Sequence, residues 1–531
     1  MGMFRQEKPP GILCRRRPAS GRKTGRHAAF AALLLLSACG GGAHSPFGAA
    51  TTPPRGSLLQ TPPQLLATVT APNLLIELNV LANQPLLALS GTPICDILIY
   101  HIEYATVGGA NEATTASAAL MVPTGFGANC TGARPIVLYA HGTTTDRSFD
   151  MTNQQNAETL SLEALFASQG DIVVAPNYAG YDTSTLPYHP YLIAAQAAAD
   201  MIDALTAART ALPLASGFLT SDSGRLFITG YSEGGYVAMA TDREMQAEGM
   251  QVTAAAPMSG PYALAAFVDA VFNGEVNGGA PVSSTLLFTS YQKAYGNIYT
   301  DPGEVFSPQY AAGIDALLPS TTPRSQLYAE GKLPEYALFS ATPPEPSMAD
   351  ITPPTSPANL AAVFALGFGN GNLLQNSYRL AYLLDAQQNP DGGWPSVTTG
   401  VAAANPGLPM RQALRANDLR DWLPTAPILL CGGDLDPLVF WFNTQLMQDY
   451  WASRAPSTAA ISVLDLEAPA TASDPYASLK SGFALAKELV AASAIAAGAT
   501  DGGAFAVAQA YHATLVAPFC FAAARSFFAA Q

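Results

Sequence analysis

Charge is what this 531-residue chain has little of: Asp, Glu, Lys and Arg make up 12% of it, against 49% hydrophobic residues. A chain that apolar must bury surface to stay in solution, which excludes wholesale disorder. Positive charge is scarcer still, with 25 Lys and Arg against 39 Asp and Glu and a net charge of −14. Eight of the basic residues and one acid precede position 39, which leaves 17 against 38, or −21, for the remainder. That balance repels a phosphate backbone, so nucleic acid is not an expected partner, and cationic or neutral substrates suit it better. Histidine is rare, with six in all. There is no H-E-x-x-H and no clustered C-x-x-C, so no metal and no cofactor is implied. Beyond residue 40 no apolar run reaches the roughly 18 residues of a membrane span, and no internal repeat is present. At roughly 100 to 200 residues per domain, the length suits two or three domains, or one large α/β core with an insertion.

The first 40 residues read as an address label. A basic stretch (Arg15, Arg16, Arg17, Arg22, Lys23, Arg26) precedes an apolar run, Ala28 to Leu36, that is too short to cross a bilayer. The run ends in Leu36-Ser37-Ala38-Cys39-Gly40, which resembles the lipobox of bacterial lipoproteins. The resemblance implies cleavage after residue 38, a diacylglycerol anchor on Cys39 and, with Gly40 next, an outer-membrane destination. An ordinary secretory cleavage site with an incidental Cys39 is the alternative. Residues 39–63, rich in Gly, Pro, Thr and Ser, read as a flexible tether. Export places Cys95, Cys130, Cys431 and Cys520 in an oxidising compartment as an even set. Pairing Cys95 with Cys130 and Cys431 with Cys520 is favoured, because the first pair brackets two adjacent strands and the second lies near two late motifs. Free buried thiols are the alternative.

From Cys95 onward short β-rich runs alternate with helical ones. Ile97 to Val107 and Thr114 to Val122 read as an antiparallel pair that opens the sheet. Strands follow at 135–140, 171–176, 225–230 and 252–257, with helices at 157–168, 190–212 and 233–248 between them. Such alternation demands a mostly parallel sheet with helices on both faces, an α/β fold. The alternation breaks after Pro261 and resumes near Pro427, too long a gap for one loop. The expected organisation is therefore a core at 64–260, a mainly helical cap at 261–425, and the rest of the core at 426–531, which ends in a helix from Ala513 to Ala530.

Gly230-Tyr231-Ser232-Glu233-Gly234-Gly235 is a G-x-S-x-G sequence between a strand and a helix. A nucleophile on such a turn needs strained dihedrals, and the flanking Gly230 and Gly234 let strand and helix approach. The helix starting at Glu233 points its free N–H groups at the serine, where they can hold an oxyanion. A serine hydroxyl needs a base. His27 and His44 lie in the signal and tether; His101 sits within a strand, His141 suits an oxyanion loop, and His189 lies between prolines in a rigid turn. His512, in a short turn before the last helix, is the remaining candidate. Cys431-Gly432-Gly433-Asp434-Leu435-Asp436-Pro437 offers two acids. Asp436 is preferred over Asp434, because the Asp-Pro step starts the following helix.

These residues, with His141-Gly142-Thr143, Asn177-Tyr178-Ala179-Gly180-Tyr181 and His189-Pro190-Tyr191-Leu192, make residues 95 to 530 resemble an α/β-hydrolase, most closely the secretory lipases and exported bacterial serine esterases. One departure is Tyr231, where a plain lipase commonly has His before its nucleophile. The resemblance implies a carboxylic-ester hydrolase in which Ser232 attacks, His512 carries the proton and Asp436 orients His512. The oxyanion would be met by the backbone N–H groups of Glu233 and Thr143, with Thr144 as a fallback. The ester substrate is a small molecule or a polymer, and the oligomeric state is not legible. A serine peptidase of the same fold and a non-catalytic lipid-anchored binding protein are the competing readings. The first usually carries an N-terminal propeller, for which there is no room before Cys95; the second has no need of all three residues.

Overall fold

The β-rich runs are gathered into one nine-stranded sheet. The computed structural model describes residues 53–454 and 457–531. The signal stretch, Cys39 and most of the expected tether lie outside the described residues. The strands are β1 (Gln64–Val69), β2 (Asp96–Val107), β3 (Ala113–Thr124), β4 (Gly132–Ala140), β5 (Ile172–Pro176), β6 (Thr220–Tyr231), β7 (Ala254–Met258), β8 (Ile428–Gly432) and β9 (Ile461–Asp465). Their order across the sheet is β1-β2-β3-β5-β4-β6-β7-β8-β9. The first four in that order pair antiparallel; from β5 onward every pairing is parallel.

The parallel strands are apolar on both faces because helices cover both. Ile136 and Leu138 of β4 face one core, which also contains Met201, Leu205 and Met239 from the helices Ala194–Ala215 and Glu233–Ala247. Val137 and Tyr139 face the other, with Leu162, Leu165, Phe521 and Phe528 from the helices Ala157–Leu165 and Ala517–Ala529. Between β7 and β8 the chain contributes no strand to the sheet; its longer helices there are Leu264–Phe272, Ala280–Tyr295, Asn376–Gln388 and Pro409–Ala416. Buried arginines knit this insertion together: Arg411 bonds Asp269 and Asp385, and Arg420 bonds Asp391 and Asp418. The described residues from 53 onward form one compact unit, so the insertion is not a separate body.

Several expectations need correction. The tether does not reach residue 63: Leu59 donates its N–H to Glu103 O at 2.8 Å, and Arg55 pairs with Asp203 at 2.9 Å. The opening pair β2 and β3 is preceded by a further edge strand, β1, and by the helices Ala71–Leu78 and Gln84–Ser90. The last helix starts earlier, so Ala504–Ala529 is one run of 26 residues, long and apolar enough to cross a membrane. It lies against the sheet instead, with Cys520, Ala523 and Ala524 fully buried and Cys520 bonded to Cys431 of β8. The other disulfide joins Cys95 to Cys130.

Candidate active site

Ser232 sits between the end of β6 and the first residue of the helix Glu233–Ala247, with φ 62° and ψ −123°. A non-glycine residue with positive φ is strained and persists only where its surroundings impose it. Here the imposition is visible. A Cβ on Gly230 would lie 2.3 Å from Gly234 O, and one on Gly234 would lie 2.0 Å from Ala140 O. The Ser232 N–H donates to Met258 O at 3.0 Å, and its carbonyl accepts from Gly235 N at 2.9 Å. The turn is thus locked between β4, β7 and its own helix.

His512 and Ser232 both line a cavity of about 740 Å³. Its Nδ1 is 2.6 Å from Asp436 Oδ2, and both residues are buried. Its Nε2 is buried without a partner among the described residues, which leaves that nitrogen free to serve a hydroxyl. Asp436 Oδ1 accepts from the N–H groups of Leu438 (2.9 Å) and Val439 (3.1 Å), so the carboxylate is held by its own loop. Asp434 is exposed, and only its N–H is engaged, by Asp465. The histidine is not in a short turn, as its sequence context suggested. It belongs to a π-helical segment, Tyr511–Val516, inside the long C-terminal helix. Pro518 follows and has no N–H for an α ladder; such a widened turn re-aims a side chain.

On the other side of the serine, Thr143 lines the cavity and its hydroxyl bonds Tyr191 at 3.1 Å. The preceding Gly142 donates its N–H to the Glu158 carboxylate at 3.3 Å. The N–H groups of Thr143 and Glu233 have no partner among the described residues, so both can donate to a ligand oxygen. His141 is fully buried and stacks on Tyr178 at 4.0 Å. Burial lowers its pKa, and its Nδ1 lies 2.7 Å from Gly142 O, so it shapes the loop and does not face the cavity.

No protein-family model matches the chain, and no curated protein matches it. Solved structures do. The rice cell wall degrading esterase LipA from Xanthomonas oryzae is 27% identical, with a TM-score of 0.60 over 78% of this chain and 91% of that one. A protein from Legionella pneumophila superposes with a TM-score of 0.59 over 89% of this chain and 97% of its own; at 19% identity it speaks for the fold alone. By fold, this chain is an α/β-hydrolase. The likeness to LipA supports a hydrolase on that fold.

Other residues around the site gain roles that sequence reading missed. His189 is no mere turn residue: its Nε2 is 2.7 Å from Glu233 Oε1 and its Nδ1 is 3.1 Å from Ala179 O. It therefore pins the side chain of the residue that follows Ser232. Tyr511 donates to Glu467 at 2.7 Å and accepts the Leu435 N–H at 3.3 Å, which ties the acid loop to the residue before His512. Burial and then Glu467 raise the Tyr511 pKa far above the phenol range. A His101, Asp150 and Asp182 trio also lies together. Asp182 Oδ2 already takes His101 at 2.7 Å and Ser117 at 2.6 Å, and Asp150 takes Thr152 and Asn177. Burial lowers the His101 pKa, but Asp182 raises it on balance.

Proposed function

We propose that the protein is an exported carboxylic-ester hydrolase that works through Ser232, His512 and Asp436. The observation that carries the reading is the buried His512, with Nδ1 on Asp436 and Nε2 unpartnered among the described residues, lining the same cavity as Ser232. In the reaction, Ser232 Oγ attacks the ester carbonyl while His512 Nε2 takes its proton, and Asp436 stabilises the resulting imidazolium. The carbonyl oxygen, now negative, accepts from the Thr143 and Glu233 N–H groups; each donor of this kind contributes roughly 3 kcal/mol. His512 returns the proton to the alcohol oxygen as the acyl C–O bond breaks, leaving an acyl-serine. Water, deprotonated by His512, then releases the acid and restores Ser232. Likeness to an esterase supports an ester as the substrate. The two disulfides and the signal-like N-terminus support export, and the lipobox-like sequence supports an anchor on Cys39.

The test is a fluorophosphonate probe on the mature protein, beside hydrolysis of p-nitrophenyl esters from acetate to palmitate. Labelling at Ser232 with turnover supports the reading, and Ser232→Ala should abolish both while leaving the fold intact. Activity in that variant would sink it.

A further inference from the structure

The cavity around Ser232 has two chemically different sides. Toward the helical insertion its lining is mostly apolar, with Leu264, Phe267, Val268, Val271 and Leu287 suited to an acyl chain, beside the polar Asn277, Ser283 and Arg324. Toward the start of the helix Ala157–Leu165 it meets Glu158, Ser161 and Asn83. Glu158 is fixed there from two directions. The buried Tyr139 hydroxyl donates to Oε2 at 2.6 Å, and the Gly142 N–H donates to the same oxygen at 3.3 Å. Burial, with Glu158 beside it, raises the Tyr139 pKa far above the phenol range, so its hydroxyl stays a donor.

Neither donor carries charge, and among the described residues no cationic side chain forms an ion pair with Glu158; Arg324, from the insertion, lines the same cavity without pairing with Glu158. A Cβ on Gly142 would stand 3.2 Å from Glu158 Oε1 and 3.9 Å from Ser232 Cβ, so carboxylate and serine flank the same glycine. Aromatic faces complete the surroundings. Phe521 and Tyr231 line the cavity, and the Phe521 ring lies 5.8 Å from the Tyr139 ring that holds Glu158.

An anchored carboxylate with no ion-pair partner, beside aromatic rings in a partly enclosed cavity, suits an ammonium group. We propose that Glu158 selects esters whose alcohol carries a cationic ammonium group, a proposal that rests on the esterase reading above. The acyl chain then follows the apolar wall, and the ammonium sits between Glu158 and Phe521. The acyl C–O bond between the two breaks as described, the alcohol leaving with the proton from His512. The net charge of −21 that remains from position 39 onward draws the same class of substrate from a distance.

The experiment compares a choline ester with its neohexyl analogue, in which carbon replaces the charged nitrogen, on the mature protein and on Glu158→Gln. The unaltered protein should favour the choline ester about fivefold or more in kcat/KM, and added salt should erode the preference. In Glu158→Gln the ratio should fall to near unity, whatever happens to either rate alone. A merely structural part in holding Gly142 would lower both rates together and keep the ratio. No preference in the unaltered protein, or a preference that survives the substitution, overturns the proposal and leaves the esterase reading standing. Failure to hydrolyse either ester, with no fluorophosphonate labelling of Ser232, overturns both.

Discussion

The hydroxyl of Tyr231 donates to the backbone carbonyl of His512 at 2.5 Å, across 281 positions of sequence. The two rings also meet, 4.9 Å apart. The residue before the serine thus holds the residue proposed as its base. Tyr231→Phe keeps the ring and removes the donor to this carbonyl of the π-helical turn. Loss of one such bond is expected to lower kcat roughly threefold to tenfold with little change in KM, and to cost about 1 kcal/mol of stability. Steady-state kinetics and denaturant melts of the variant check both.

The acid can be decided by a pair of isosteric changes. Asp436→Asn should cut kcat by about 10³ to 10⁴, since the amide favours the wrong tautomer of His512. Asp434→Asn, at an exposed carboxylate, should stay within about twofold of the unaltered protein. A reversed result would move the acid to Asp434.

The Cys431–Cys520 bond joins the strand that leads into the acid loop to the helix that follows His512. Replacing both cysteines with Ala is expected to lower stability by about 2 to 4 kcal/mol. Activity should fall at a lower temperature than in the unaltered protein, because the proposed acid and base lose a shared staple. Thermal inactivation curves with and without reductant give the comparison.

Glu163 predicts a pH dependence of stability that does not involve the active site. Burial, then the neighbouring Glu77, raises its pKa from the ordinary 4.5 to about 8, and its Oε1 has no partner. Between those values the folded chain keeps a proton that the unfolded chain releases. The contribution is whole below pH 4.5 and is lost as pH climbs through about 8. Glu163→Gln should flatten that decline and gain roughly 2 to 4 kcal/mol over the unaltered protein above pH 8. Denaturant midpoints at acid and alkaline pH would show it.

What could be read from sequence was what is local. Gly230, Ser232 and Gly234 announce themselves because steric need and sequence neighbourhood coincide, and the parallel strands are legible because burial on both faces makes continuous apolar runs. Residues 64–90 were not legible as elements. β1 is mostly exposed and lacks alternation, and the two short helices after it present leucines without a charged face to mark the period. The partners that hold the site were also hidden. Tyr231 with His512, His189 with Glu233 and Glu158 with Gly142 are each joined only by folding. The position of His512 within a helix, not a turn, depends on a ladder shift that no local pattern advertises.

Two parallel neighbours such as β7 and β8, in register at Ala255 with Ile428 and Met258 with Cys431, oblige the chain to leave one end of the sheet and return at the other. A single crossover helix would meet that obligation. The insertion that helps line the Ser232 cavity is therefore an overgrown version of a link the topology requires anyway. Because it contributes no strand to the sheet, its length can change without rewiring any strand pairing.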